Sequence, residues 1–254
     1  MIDYKTTATE ARKKVLEMIY KGQVSHIGSN FSAVDILTVL FERIDLDKDI
    51  FVLSKGWAAA SLYYFLWKHG RITLDELNSY CQPGSKFIGL AEPIVPEIKI
   101  AGGSMGLGLP GAVGLALAKK LSNQGGKVYV LMSDGELAIG TTWESALIAA
   151  HHKLDNLVVI VDNNGFQAMG KTSEVLDLGE LSPKWFYLGW EVHSFDGHDY
   201  RLLEENFRRG NKKPMVLIAN TIKGKGVPKW ENDNLWHYAQ IKEEDYNYAL
   251  SCLK

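Results

Sequence analysis

Cysteine is nearly absent from this 254-residue chain: Cys81 and Cys252 stand far apart and form no Cys-x-x-Cys pair, which argues against a disulfide framework or a cysteine zinc site. A reducing, cytoplasmic setting is the simple expectation. No charge of one sign dominates either. Lys and Arg number 28 against 30 Asp and Glu, a formal net charge of −2, so the electrostatic footprint of a nucleic-acid or anionic-membrane binder is missing. No apolar run approaches the ~20 residues that span a bilayer. The opening MIDYKTTATEARKKVLEMIYKG alternates charged and apolar residues where a secretory signal would be continuously apolar. Repeats, low-complexity tracts and Pro/Gly-rich linkers are missing too, so residues 1–254 are expected to form one domain. What is present, 46% hydrophobic and 23% charged, suits a globular protein long enough to bury a core.

Residues 7–20 put Ala11, Val15, Leu16 and Ile19 on one stripe and predict an amphipathic helix ending near Gly22. A second helix is expected from Ser32, with Asp35 as its capping partner ahead of ILTVLF. AAASLYYFLWKHG predicts a third, stopped by Gly70, and LDELNSY a short fourth. Beyond Ile100 the texture changes. KVYVLM (127–132), NLVVIVD (156–162), WEVHSF (190–195) and PMVLIA (214–219) are strand-length runs rich in β-branched and aromatic residues. GAVGLALAKKL, TWESALIAAHHKL and YRLLEENFRR lie between them with helical spacing. Strands separated by helices predict an α/β fold, a parallel sheet with helices on both faces.

Open parallel sheets bind ligands at the carboxyl ends of their strands. KVYVLM ends in Ser133, Asp134, Gly135 and Glu136, and NLVVIVD in Asp162, Asn163, Asn164 and Gly165. Asp134 and Asn164, thirty residues apart, span one crossover, so their oxygens can converge on one hard cation. A carboxylate, an amide oxygen and a main-chain carbonyl supply about half of an octahedral Mg²⁺ shell, which phosphate oxygens and water complete. The plainer alternative makes Asp134 a helix cap and Asn164-Gly165 a turn. A second motif competes. Gly106, Gly108 and Gly111 satisfy G-x-G-x-x-G, with Asp134 at a later strand end, and so suggest a nicotinamide site. The poor strand character of the preceding IVPEIKIAGGSM weighs against it.

With these residues the chain resembles the thiamine diphosphate enzymes, most closely the N-terminal subunit of a split transketolase. SDGELAIGTTWESALIAAHHKLDNLVVIVDNNGFQAMG carries the metal motif, and HIGSNFSAVDILTVLF, FVLSKGWAAASLYYFL, GGSMGLGLPGAVGLALAKKL, FDGHD and TIKGKGVPKWENDNLWH match in the family's order. The resemblance implies a diphosphate-binding domain holding thiamine diphosphate and Mg²⁺, or Ca²⁺ in its place. Asp134, Asn164 and the carbonyl of Phe166 would be metal ligands. Gly135 and Glu136 would belong to the diphosphate loop, and Gly103 and Met105 would meet the aminopyrimidine through their backbone. Trp57 would lie beside the cofactor. His26 and His237 would be catalytic, the first in the substrate channel and the second near the diphosphate. Read alone, His26 could as well flank a helix and His237 pack in the core. His151 and His152, adjacent on a helix, face different ways and make a poor metal pair. Lys223 and Lys225 in KGKG either frame an anion or are solvated.

The resemblance also implies a partner. The family's ylid-forming glutamate lies on a pyrimidine-binding domain, which a C-terminal subunit would supply in a pair of heterodimers. The expected reaction carries a ketol or acyl fragment from a ketose or 2-oxo donor to an aldehyde. A non-catalytic homologue retaining the fold is the alternative. Four positions depart from the family. Ser133 replaces a glycine, a modest change if its φ stays below zero. Trp57 and Leu90 replace histidines of the channel, and Ile139 a glutamate of the carboxylate network. Trp57 and Leu90 are expected to weaken recognition of polyhydroxylated ketoses.

Overall fold

In the computed structural model, which describes residues 2–254, α1 (Tyr4–Gly22) and α2 (Ile27–Phe41) precede β1 (Ile50–Leu53), α3 (Ala59–Lys68), α4 (Leu74–Asn78) and α5 (Gly108–Leu121). Then come β2 (Val128–Ser133), α6 (Gly140–His151), β3 (Leu157–Asn163), β4 (Phe166–Gln167), β5 (Gly170–Lys171), α7 (Thr172–Val175) and α8 (Leu181–Tyr187). The chain ends with β6 (Glu191–Asp196), α9 (Tyr200–Phe207), β7 (Met215–Asn220) and α10 (Glu243–Cys252). β1, β2, β3, β7 and β6 form, in that order, a parallel five-stranded sheet. The short β4 and β5 pair antiparallel beside it.

Successive strand residues point to opposite faces. Leu131, Val158, Ile160 and Leu217 join the core built by α1, α2, α3 and α9, whereas Val130, Val159, Val161 and Val216 pack against α5, α6 and Trp185 of α8. Both faces are therefore buried, and for that reason the strands read as continuous apolar runs. The expected α/β architecture is present. Local signals set several helix ends: Asp3 caps α1 by accepting from Thr6 N–H, and Thr73 and Glu76 form a capping box on α4.

One boundary differs. α2 begins at Ile27 and not at Ser32. Ser32 and Asp35 lie inside it and serve tertiary contacts: the Ser32 hydroxyl donates to Asp162 (2.6 Å), and Asp35 pairs with Arg12 (2.7 Å). The sequence reading also lacks β1, α8 and α10. β1 is four residues long and lies at the sheet edge, too short for its own pattern. It matters, because its end delivers Ser54 and Lys55 to the site.

Candidate active site

The carboxyl ends of β1, β2 and β3 meet at one polar centre. Asp162, fully buried at the end of β3, accepts hydrogen bonds from Ser32 and Thr221 and pairs with the buried Lys55. Register sets Ser133 opposite Asp162, which brings Asp134 beside the Asn163–Gly165 turn. Asp134 accepts from the N–H groups of Gly135 (2.8 Å) and Gly165 (2.6 Å), while Asn164 Oδ1 accepts from Phe166 N–H (3.0 Å). Burial, then the charge of Asp162, pushes the Asp134 carboxyl up to about 7. A buried carboxylate raised in this way is short of a cation. Ser133 has φ −92°, so its replacement of glycine carries no backbone cost. Gly135 sits where a Cβ would come within 2.8 Å of Gln167 Cβ, so only glycine fits this approach.

Beside this centre lies a cleft of about 370 Å³ lined by His26, Lys55, Trp57, Gly103, Met105, Asn164, Phe166 and His237, among others. Asp134 and Gly135 line an adjoining cavity of about 410 Å³ that shares Gln167 with it. His26 caps α2 in the left-handed region, φ +73°, held by its own N–H on His237 O (3.0 Å) and by Asn30 Nδ2 on its carbonyl (2.9 Å). A non-glycine residue there is strained and is retained where surroundings over-determine it, commonly at a functional site. The imidazole stacks on Trp57, centroids 4.8 Å apart at 14°, and meets His237 edge-on at 4.9 Å. Burial, then Lys223, lowers His26 to about 4 and His237 to about 3, so both are neutral at physiological pH. Lys223 is buried against them, its Nζ donating to Asn234 Oδ1 (2.7 Å) and lying 3.0 Å from His237 Nδ1.

Glu136 takes a different place. It does not line the cleft but lies buried behind it, Oε1 accepting from the Ser54 hydroxyl and from Gly106 N–H (2.9 Å). It thus ties the end of β1 to the Gly103–Leu107 loop. Gly106 has φ +83°, and a Cβ there would come within 2.4 Å of Ile139 Cγ2. No strand precedes Gly106 in residues 94–105, so the βα unit of a nicotinamide site is missing and these glycines serve close packing. His151 and His152 are exposed at the end of α6. Lys55 and Ser54 escaped sequence reasoning. Their signal, SKG directly after an apolar run, becomes visible only once IFVL is recognised as a strand.

The sequence pattern of the transketolase thiamine diphosphate binding domain matches residues 4–252. The chain belongs to this family. It is 36% identical over 251 residues to an apulose-4-phosphate transketolase subunit of Phocaeicola vulgatus, covering 94% of this chain and 89% of that one. It is 40% identical over 243 residues to the protein of the same name in Actinobacillus succinogenes, covering 90% and 87%. To the 6-deoxy-6-sulfo-D-fructose transketolase subunit of a Clostridium species it is 32% identical, covering 100% and 97%. Among solved structures, the transketolase of Campylobacter jejuni superposes with a TM-score of 0.92 at 28% identity, over 100% of this chain and 43% of that one. The chain spans less than half the length of that transketolase.

Proposed function

We propose that the chain is the diphosphate-binding subunit of a two-chain, thiamine diphosphate-dependent transketolase, moving a ketol or acyl fragment from a ketose or 2-oxo donor to an aldehyde. The observation that carries this reading is the meeting of Asp134 and the Asn164 turn at the strand ends, beside a cleft lined by two neutral histidines. Near full-length similarity to proteins that are themselves named as transketolase subunits supports a separate partner bearing the pyrimidine-binding domain. The described residues 2–254 form one domain in this reading, since the five-stranded sheet with both faces covered organises them.

The donor set fits a divalent cation. Asp134 supplies a buried carboxylate, Asn164 an amide oxygen and Phe166 a main-chain carbonyl, to hold Mg²⁺ or Ca²⁺. Among the described residues no cluster of three or more His, Cys, Asp or Glu side chains could hold a metal, so a cation here leans on diphosphate oxygens. Lys55 and Lys223 add positive charge, Gly135 permits close approach, and the Gly103–Met105 backbone and Trp57 flank the ring end of the cleft. When bound, thiamine diphosphate supplies the nucleophilic carbon that carries the transferred fragment. Neutral His26 and His237 then orient substrate oxygens as hydrogen-bond partners. The Ser25 hydroxyl, 2.7 Å from His26 Nδ1, fixes that ring. Exposed Met105, Leu107, Leu147 and Ile148 suit a face covered by partner chains in a pair of heterodimers. Among the described residues no helix is long and apolar enough to cross a membrane.

The test is reconstitution. The isolated chain should show no turnover, and mixing with a cognate pyrimidine-domain subunit should create it. Sustained turnover by this chain, in a preparation free of the partner, would overturn the two-chain reading.

A further inference from the structure

A second chamber, of about 460 Å³, adjoins the cleft and shares His26, Trp57 and Tyr238 with it. Val24, Ile88 and Leu90 supply much of its remaining wall, and no Lys, Arg, Asp or Glu is among its lining residues. Part of its polar lining is engaged within the chain. Gln23 Nε2 donates to Tyr20 O (2.7 Å), Gln240 Nε2 to Gln23 O (3.2 Å), and the Ser25 hydroxyl lies against His26 Nδ1 (2.7 Å). Trp57 is 46% exposed, an unusual state for an indole, yet one ring face is fixed by the parallel His26 imidazole. Leu90 is fixed as well. Its side chain packs so closely on Gly103 that a Cβ there would come within 2.5 Å of Leu90 Cδ2, and its carbonyl accepts from Tyr63 OH (3.0 Å). Two residues from separate segments thus form one apolar wall beside the cleft.

We propose that this chamber receives the substrate carbons beyond the reacting carbonyl and selects a deoxygenated ketose, one with methyl or methylene where an ordinary ketose bears a hydroxyl. The inference rests on the transketolase reading and names its substrate class. The Trp57–Leu90 wall rewards C–H surface and offers no hydrogen-bond partner to a hydroxyl that faces it, unlike the His26 and Tyr238 side of the chamber, so a ketose hydroxylated on the wall side loses its water contacts for nothing. The missing cation argues equally against a carboxylate in this chamber, which makes a 2-oxo acid the poorer donor. Rejection of an added hydroxyl by an apolar pocket amounts to about ten- to a hundredfold.

The experiment compares an unphosphorylated ketose, its deoxy analogues and pyruvate as donors for the chain reconstituted with its pyrimidine-domain partner. A deoxy analogue should exceed the parent ketose in kcat/KM by about tenfold or more. Trp57→His and Leu90→Asn should each collapse that ratio, and Trp57→Phe, which keeps the apolar face, should preserve it. Equal or better use of the parent or of pyruvate, or a ratio unchanged in both polar variants, overturns the proposal. Binding is read separately as the difference in tryptophan fluorescence between the wild-type and Trp57→Phe assemblies during titration with each ketose. Tighter binding of the deoxy ketose supports the chamber's selectivity, and equal binding refutes it. Absence of turnover with every donor would count against the transketolase reading, while the fluorescence comparison still decides the chamber.

Discussion

Lys223 shows how much one side chain's direction matters. It and Lys225 flank Gly224 in KGKG, and the sequence alone does not say which turns inward. Gly224 has φ +78°, with Trp230 O only 2.3 Å from where a Cβ would sit, and this turn buries Lys223 while Lys225 stays a third exposed near Glu231. Burial, then repulsion from Lys55, lowers the Lys223 ammonium to about 8, with Asp134, Asp162 and Asp233 opposing the shift. If the diphosphate lies at the strand ends as proposed, deprotonation removes a positive charge near it, so pyrophosphate or thiamine diphosphate should bind more weakly as pH rises through about 8. Lys223→Met should weaken binding about tenfold or more, the loss of a charge-assisted hydrogen bond, and flatten that pH dependence. Calorimetric titration across pH 8–9, above the range in which Asp134 titrates, checks both; a wild-type affinity flat over that range would contradict this role. His26 makes the same point. Its residue type was legible as a candidate, whereas its left-handed backbone and aromatic stacking arise from contacts with His237 and Trp57, which are distant in sequence.

At the scale of elements, α2 misled the sequence reading because its polar residues answer distant partners. Asp35 accepts from Arg12 Nη1 (3.0 Å) and Nη2 (2.7 Å), His198 Nδ1 (2.7 Å) and Tyr200 OH (2.7 Å). Burial opposes ionisation, but the Arg12 charge and then the His198 hydrogen bond outweigh it and hold the carboxyl well below the usual range. His198 Nε2 in turn accepts from Ile222 N–H (2.8 Å), the residue before Lys223. One carboxylate therefore joins α1, α2 and the β6–α9 loop to the Lys223 turn. Asp35→Asn strands a buried guanidinium and should cost about 3–5 kcal/mol of stability near neutrality. Because the folded carboxyl is depressed, its contribution is full above the unfolded value of about 3.9 and is lost as pH falls through the folded one. The gap between wild type and variant in urea melts should therefore narrow below about pH 4. A gap that widens in acid would refute the assignment. Strands β2, β3 and β7 were legible because burial on both faces writes long apolar runs, and the half-buried edge strand β6 through its aromatic and β-branched residues; β1, with only four residues, was not.

For the whole molecule, the sheet order explains why a few loops carry the chemistry. Placing β1, β2 and β3 side by side gathers Lys55, Asp134 and Asn164, from three distant segments, at one edge. Alternation of strands and helices made the layers legible in advance, and the spacing of Asp134 and Asn164 made their meeting at the strand ends so. Strand order and the placement of Glu136 behind the loop depend on tertiary packing that no local pattern records. The proposed binding of a diphosphate together with Mg²⁺ at these strand ends is tested by calorimetric titration of thiamine diphosphate into the reconstituted pair with and without Mg²⁺. Wild type should bind in a Mg²⁺-dependent manner, whereas Asp134→Ala, with an unchanged circular dichroism spectrum, should lose an anionic ligand and bind at least about tenfold more weakly. Equal Mg²⁺-dependent affinity in wild type and Asp134→Ala would contradict the account.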